Sequence, residues 1–155
     1  MKKNPFPKSN KYEELLKIYS EIAKDGCYTI DGKFVPPTEL FGMSGQEKFR
    51  EILKKLFDKY HVKNILDYGA GQGSWEKKIN ETETLKSFLN VNEIYYFEPA
   101  RKMNKKTKSE CVVSFDVLEH VFISDIPWVL FDIFSYSSKL VVLNVACYKA
   151  VKVLP

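Results

Sequence analysis

The chain has 155 residues, a formal net charge of +4 and a hydrophobic fraction of 45%, which fits one globular domain with a single core and excludes a disordered chain. No apolar run approaches the roughly 20 residues that a membrane span needs, and the basic start lacks the apolar block of a secretion signal. The few, widely spaced cysteines and histidines predict neither a disulfide framework nor a metal site, so we expect a cytoplasmic protein. They are Cys27, Cys111, Cys147, His61 and His120.

Residues 1–60 predict a helical segment that contains a small hairpin. An apolar stripe at helical spacing runs through residues 11–24 and ends at Asp25-Gly26, the composition of a helix stop. YTIDGKFV alternates around Asp31-Gly32 and predicts two short paired strands. Ser44 and Glu47 have capping-box spacing and open a predicted second helix. Its apolar side carries Phe49, Ile52, Leu53, Leu56 and Phe57.

Residues 61–155 predict an α/β fold with a Rossmann-like parallel sheet flanked by helices. Four short apolar runs read as strands: KNILDYG, EIYYFEP, CVVSF and LVVLNVACY. A helix is predicted over SWEKKINETETLKSFL, and another over IPWVLFDIFSYS, where Asp125 is the expected N-cap and Pro127 lies in the first turn. Strands that are apolar on both faces and separated by helices are typical of a parallel sheet covered on both sides.

The stretch ILDYGAGQGSW, residues 65–75, has the strongest turn chemistry in the chain. Gly69, Gly71 and Gly73 follow a predicted strand, and glycines at such a turn permit positive φ and close approach of a ligand to the backbone. A tight strand–helix connection is the alternative explanation. In a dinucleotide fingerprint the third glycine would fall at Ser74, which disfavours that ligand. Asp67 suits an ammonium group better than a pyrophosphate.

Glu98, at the end of the next predicted strand, is the second candidate for ligand binding. It lies 25 positions beyond Gly73, about where the second strand of a βαβ unit ends, and its carboxylate can accept both hydroxyls of a ribose. Together with Asp67 and the glycine turn, it predicts a ligand that carries a ribose and a cationic amino-acid end.

Three consecutive motifs, LDYGAGQG, YFEP and SFDVLEHV, resemble the class I S-adenosylmethionine-dependent methyltransferases, and small bacterial and phage enzymes with a D-V-L-E-H motif in particular. The resemblance covers roughly residues 63–148. It implies that Asp67 reaches the ammonium of the cofactor, directly or through water, that Glu98 holds the ribose and that Asp116 lies beside the sulfonium. The residues that it implies for the turn under the methionine part are Gly69, Ala70, Gly71 and Gly73.

The resemblance does not single out one catalytic residue, because methyl transfer needs little acid–base catalysis. The resemblance leaves Asp116 and His120 as candidate catalytic residues, with Glu119 beside them, and a packing role is favoured for His120. The methyl acceptor is unidentified.

The chain departs from the family in two places. Only twelve residues separate Glu98 from Cys111, and the chain stops at Pro155, so we expect a reduced fold that lacks the last strands. The predicted sheet has four parallel strands in the spatial order second, first, third, fourth, with the last at an open edge. A folded-back tail, a partner or oligomer, or further chain beyond a fragment would cover that edge.

Three functions follow from these residues. The leading one is an S-adenosylmethionine-dependent methyltransferase; the second is a non-catalytic module that binds the same cofactor, and the third is a dinucleotide-binding domain. The basic run from Arg101 to Lys108 has no interleaved aromatic residues, so we expect a solvated segment and disfavour nucleic acid as a partner. No membrane partner is expected.

Overall fold

The computed structural model describes residues 3–42, 44–73 and 75–147, with the side chain of Ser44 outside that description. Two strands form a small antiparallel hairpin, and four form one parallel sheet. The hairpin strands are β1 (Cys27–Tyr28) and β2 (Phe34–Val35). The parallel strands are β3 (Asn64–Tyr68), β4 (Glu93–Phe97), β5 (Ser109–Phe115) and β6 (Ser137–Asn144).

The order of the parallel sheet is β4-β3-β5-β6, so the predicted spatial order is confirmed. Between β4 and β5 the described chain has only a 3₁₀ turn at Pro99–Arg101 and an irregular loop, and it adds no strand there. The order reverses between β3 and β5, and in open α/β sheets ligands bind in the crevice outside the carboxyl ends of the strands at such a reversal. The fold class is therefore α/β with a parallel sheet, as predicted.

Helices cover both faces of the sheet. On one face, Tyr12 of α1 and Ile133 of α5 pack against Leu66 of β3. On the other, Phe57 of α3 and Leu85 of α4 pack against the same strand at Ile65, so each face of β3 contributes to a separate buried cluster. The helices are α1 (Asn10–Asp25), α2 (Ser44–Lys48), α3 (Arg50–Tyr60), α4 (Leu85–Phe88) and α5 (Ile126–Ser135).

The predicted helix after the glycine turn is wrong for most of its length. Residues 75–83 form turns and bends, and only Leu85–Phe88 is helical. The Asn80 side chain accepts a hydrogen bond from the Thr82 N–H, and Thr84 caps α4 through a capping box with Ser87. Asparagine and threonine side chains compete with helical backbone bonds in this way. No long helix therefore begins at the glycine turn.

The N-terminal prediction holds in outline and differs in detail. Helix α1 and the hairpin lie where expected, but the second helix is broken at Phe49 into α2 and α3. Ile52, predicted on the apolar side, is 56% exposed. The Ser44 side chain, on which the capping box depends, lies outside the described residues.

Two strand and helix ends also differ from the prediction. Strand β6 begins at Ser137 and ends at Asn144, earlier than the LVVLNVACY run suggests, and Tyr148 of that run is outside the described residues. Asp125 precedes α5 but makes no capping hydrogen bond. Its two carboxylate oxygens instead accept bonds from the backbone N–H and the hydroxyl of Ser9, each at 2.7 Å, which anchors the start of the chain to α5.

No helix in the described part of the chain is long and apolar enough to cross a membrane. Among those same residues, no group of three or more histidine, cysteine or acidic side chains is arranged to hold a metal ion.

Candidate functional site

The glycine turn folds over the end of the neighbouring strand β4. The backbone N–H groups of Gly69 and Ala70 both donate to the Phe97 carbonyl, at 2.8 and 3.2 Å. All three glycines have positive φ: 83° for Gly69, 55° for Gly71 and 63° for Gly73. A residue with a Cβ adopts such a φ only with strain. Glycine adopts this backbone conformation without that strain.

Glu98 lies directly beside this turn, immediately after β4. Its Oε2 accepts the Gly71 N–H at 3.1 Å, and its Oε1 accepts the Ala100 N–H at 3.1 Å. Burial raises the pKa of the Glu98 carboxyl, while the two N–H groups and the nearby Arg101 work in the opposite direction. A carboxylate has about four lone-pair sites, so two remain for further donors such as the hydroxyls of a ribose.

A shallow cleft of about 430 Å³ opens next to Gly71 and Arg101. The Arg101 guanidinium donates to the Pro37 carbonyl at 3.3 Å and lies 5.7 Å from the ring centroid of Phe41. The cleft thus places one cationic side chain beside Gly71 and Gln72 of the glycine turn. Its lining residues are Pro37, Thr38, Gly71, Gln72, Arg101 and Met103.

The segment Pro37–Phe41, which we name the strap, lies against the turn, and its first two residues also line the cleft. The Phe41 carbonyl accepts the Gln72 N–H at 3.1 Å. The Gln72 side-chain amide donates to the carbonyls of Thr38 and Leu40, at 2.8 and 2.7 Å. A Cβ on Gly71 would lie 2.3 Å from the Phe41 carbonyl oxygen. The close approach that this glycine permits is therefore an approach of the chain's own backbone.

Asp67 does not reach the cleft. It is 1% exposed and points to the α3 and α4 side of the sheet, where its Oδ2 accepts the indole N–H of Trp75 at 2.6 Å. Its Oδ1 is buried without a hydrogen-bond partner among the described residues. Burial raises the pKa of Asp67 to about 7, against the lowering effect of the Trp75 N–H. The direct contact with an ammonium group that the resemblance implies is not visible in this arrangement.

The candidate catalytic residues lie in the loop after β5, at the same edge of the sheet. Asp116 has a positive φ of 53°, and its N–H donates to the Asn144 carbonyl. Burial and the neighbouring Glu119 raise the pKa of the Asp116 carboxyl. The Oε1 of Glu119 accepts the Ala146 N–H at 2.9 Å. His120 packs edge-on against the Tyr19 ring of α1, with 5.6 Å between centroids, a packing contact of the kind expected for it.

The structure brings the turn, Glu98 and the Asp116 loop together at the carboxyl ends of β3, β4 and β5. The two loops are in direct contact, because a Cβ on Gly69 would lie 2.2 Å from Cγ2 of Val117. The crevice is therefore open at the cleft beside Gly71 and filled by protein at Phe41 and Val117. Sequence reasoning did not identify Phe41, Gln72 or Val117, since no local pattern marks the contacts that they make.

The basic run from Arg101 to Lys108 is only partly solvated. The Lys106 side chain is 18% exposed and pairs with Asp132 of α5, so the predicted solvated segment is wrong at this residue. Lys105 and Lys108 are exposed, as expected.

Comparisons of the chain with protein-family models, with curated proteins and with solved structures find no match. The case for a function therefore depends on the geometry of the site.

Proposed function

We propose that the chain binds S-adenosylmethionine at the carboxyl edge of the sheet and acts as a methyltransferase on an unidentified acceptor. The observation that carries this proposal is the position of Glu98: a half-buried carboxylate directly after β4 that accepts, at 3.1 Å, the N–H of Gly71, a residue that lines the cleft. This is where ligands of open α/β sheets bind. The reduced methyltransferase fold is part of the same proposal.

The residues present fit the adenosine end of such a cofactor. Glu98 keeps two lone-pair sites for the ribose hydroxyls, and the cleft along Gly71 and Met103 provides space for a base. The methionine end would lie further along the turn, where Phe41 and Val117 now pack against the glycines. Binding of the whole cofactor therefore requires the strap to move away from Gly71.

When bound, the cofactor supplies a methyl group already activated by its sulfonium. The protein then needs to orient an acceptor and exclude water. Asp116 and His120 would flank the acceptor side of the crevice, and a proton taken from the acceptor would pass to one of them. Asp67, buried behind the turn, would support the turn through Trp75.

A non-catalytic module that binds the same cofactor is the second candidate. The contacts of Phe41 and Val117 with the glycine turn favour it, because they occupy the region where a reacting methyl group would lie. A dinucleotide-binding domain is the third candidate, and the absence of a long helix after the glycine turn counts against it: a pyrophosphate is usually held at a helix N-terminus, and residues 75–83 are turns and bends.

The test is calorimetric titration of the chain with S-adenosylhomocysteine, with NAD as a competing ligand class. We expect S-adenosylhomocysteine to bind and NAD not to bind. Glu98→Ala removes the ribose acceptor and should weaken binding by about 1.5–3 kcal/mol, the range for hydrogen bonds to a charged group. Glu93→Ala, at the opposite end of the same strand, is the matched control and should leave the affinity unchanged. Thermal melts establish that each variant is folded.

Binding of NAD instead, or equal affinity for the wild type and the Glu98→Ala variant, would contradict the proposed site. A second measurement separates enzyme from module: transfer of label from methyl-labelled S-adenosylmethionine to protein, nucleic acid or small-molecule fractions. Labelling of one fraction supports the methyltransferase, and binding without labelling supports the module.

A further inference from the structure

Lys106 lies among four aromatic rings on the α1 and α5 side of the sheet. Its Nζ is 4.8 Å from the ring centroid of Phe97 and 5.1 Å from that of Tyr136. The centroids of Tyr68 and Trp128 follow at 5.9 and 6.0 Å. The same Nζ pairs with Oδ2 of Asp132 at 2.5 Å. We name the groups around this ammonium the cage: Tyr68, Phe97, Trp128, Tyr136 and Asp132.

The cage is built on regular elements and is held in shape without Lys106. Tyr68 and Phe97 are the last residues of β3 and β4, and their rings pack at 4.7 Å between centroids. The Tyr68 hydroxyl donates to Oδ2 of Asp132 at 2.8 Å, which orients the carboxylate. Trp128 lies in α5, and Tyr136 is its C-cap. The backbone of each of these residues is therefore fixed by a strand or by α5 and its C-cap.

Lys106, which occupies the cage, lies in contrast in an irregular loop. Residues 104–108 belong to no helix or strand, and among the described residues their backbone groups make no hydrogen bond to another backbone group. Besides the Lys106 head group, the Thr107 carbonyl holds this loop, since it accepts the Ser109 hydroxyl at 3.0 Å. A rigid site with a loosely held occupant is one from which a competing ligand can displace that occupant.

The chemistry of the cage defines the ligand. Aromatic rings around a cation are the arrangement that recognises ammonium and methylated ammonium groups, because the ring faces attract positive charge and accept weakly hydrated methyl groups. The Asp132 carboxylate additionally requires an N–H donor. A dimethylated alkylammonium satisfies both, since it presents methyl groups to the rings and keeps one N–H for Asp132.

We propose that the cage is a recognition site for a dimethylated alkylammonium group of another molecule, and that Lys106 is an internal occupant which this ligand displaces. With an internal occupant, the apparent affinity equals the intrinsic affinity multiplied by the fraction of molecules in which the cage is open. Removal of the Lys106 side chain should therefore strengthen binding, the opposite of what removal of a structural lysine predicts.

The experiment is an NMR titration with N,N-dimethylbutylammonium, followed through the two tryptophan indole N–H signals. Trp128 belongs to the cage and reports on binding. Trp75 is fully buried on the opposite face of the sheet and reports that the protein stays folded. Lys106→Ala is the test variant, and Lys105→Ala, an exposed neighbour in the same loop, is the matched control.

We expect a saturable shift of the Trp128 signal, with an affinity about tenfold higher in Lys106→Ala than in the wild type. Lys105→Ala should match the wild type, and unmethylated butylammonium should bind more weakly than the dimethylated form. A folded Lys106→Ala variant with no saturable shift at Trp128 overturns the proposal, as does equal affinity for the two amines. If Lys106→Ala fails to fold, Lys106→Gln, which keeps the stem but not the charge, gives the same readout.

A second arm uses a peptide that carries one dimethyllysine. Tighter binding of the peptide than of free N,N-dimethylbutylammonium identifies a protein as the source of the group. Equal affinity identifies a small molecule. Binding of neither to the Lys106→Ala variant overturns the proposal.

Discussion

Asp67 and Glu98 are two carboxylates at the carboxyl ends of neighbouring parallel strands, but their burial and their hydrogen-bond partners differ. Asp67 faces the α3 and α4 layer, is 1% exposed and receives one indole N–H. Glu98 follows the end of β4 and receives two backbone N–H groups, one of them from Gly71, which lines the cleft. An acidic residue near a glycine turn is therefore not by itself a ligand-binding residue, because the face of the strand on which it lies decides whether a ligand can reach it.

The largest effect that we expect is on the pH dependence of stability, through the ionisation of Asp67. Burial raises its pKa from 3.8 to about 7, so the unfolded chain loses this proton at a lower pH than the folded protein does. Between about pH 4 and 7 the unfolded state binds less of this proton than the folded state, so the contribution of Asp67 to the free energy of unfolding falls as the pH rises. Because one pKa unit corresponds to about 1.4 kcal/mol, the decrease is about 4 kcal/mol and levels off above pH 7.

Asp67→Asn cannot ionise and keeps an oxygen for the Trp75 N–H. We expect the stability of the variant relative to the wild type to increase by about 4 kcal/mol over the same pH range. Denaturant unfolding of both proteins across that range measures it. A constant difference between the two proteins would mean that the Asp67 pKa is not raised.

The second-largest effect that we expect is a difference in stability between substitutions at two glycines of the turn, Gly71 and Gly73. Gly71 faces the backbone of the strap, and a Cβ there would lie 2.3 Å from a carbonyl oxygen. Gly73 faces the Tyr96 ring, and a Cβ there would lie 3.2 Å from the nearest ring atom. Both glycines have similar positive φ, so the strain of adopting that backbone conformation with a Cβ cancels in the comparison.

We therefore expect Gly71→Ala to destabilise the protein more than Gly73→Ala, by about 2 kcal/mol, since overpacking against a backbone atom is relieved less easily than contact with a side chain. Thermal and denaturant unfolding of the two variants give the difference. Equal losses would show that the strap does not press on Gly71 in solution.

The smallest effect is expected for Glu98→Gln. A glutamine has one acceptor oxygen where the carboxylate has two, so either the Gly71 or the Ala100 N–H loses its acceptor. We expect a destabilisation of about 1 kcal/mol near neutral pH. Amide hydrogen exchange at Gly71 and Ala100 should accelerate at one of the two positions. Unchanged exchange at both would contradict the two hydrogen bonds of Glu98.

Local sequence patterns predicted the parallel sheet because apolar strands bounded by glycine, proline and polar residues carry their own signal. The strands at LDYG, YYFE and CVVSF, and the helices α1 and α5, lie where the pattern places them. The short connection between Glu98 and Cys111 also predicted the absence of a further strand there, since twelve residues cannot hold a helix, a strand and a loop. These features depend on neighbours in sequence.

The helix predicted after the glycine turn is mostly absent because of the contacts that its residues make in the folded protein. Trp75, which the pattern placed on a helix, is fully buried and donates its indole N–H to Asp67, eight residues earlier. The following residues then form turns stabilised by Asn80 and capped by Thr84. An intrinsic helix propensity of a few tenths of a kcal/mol per residue does not outweigh the burial of Trp75 and these hydrogen bonds.

The sequence by itself determined the α/β fold class, the short connection between β4 and β5 and the glycines of the turn after β3, because these follow from apolar periodicity, connection length and backbone conformation. The strand order was predicted from the family resemblance. Only the tertiary structure decided what lies against that turn. The strap reaches Gly71 from about 30 positions away in the chain, and Lys106 lies against Tyr68 and Tyr136, which are 38 positions before it and 30 positions after it. Contacts between residues that distant depend on the packing of whole elements, which no local pattern contains.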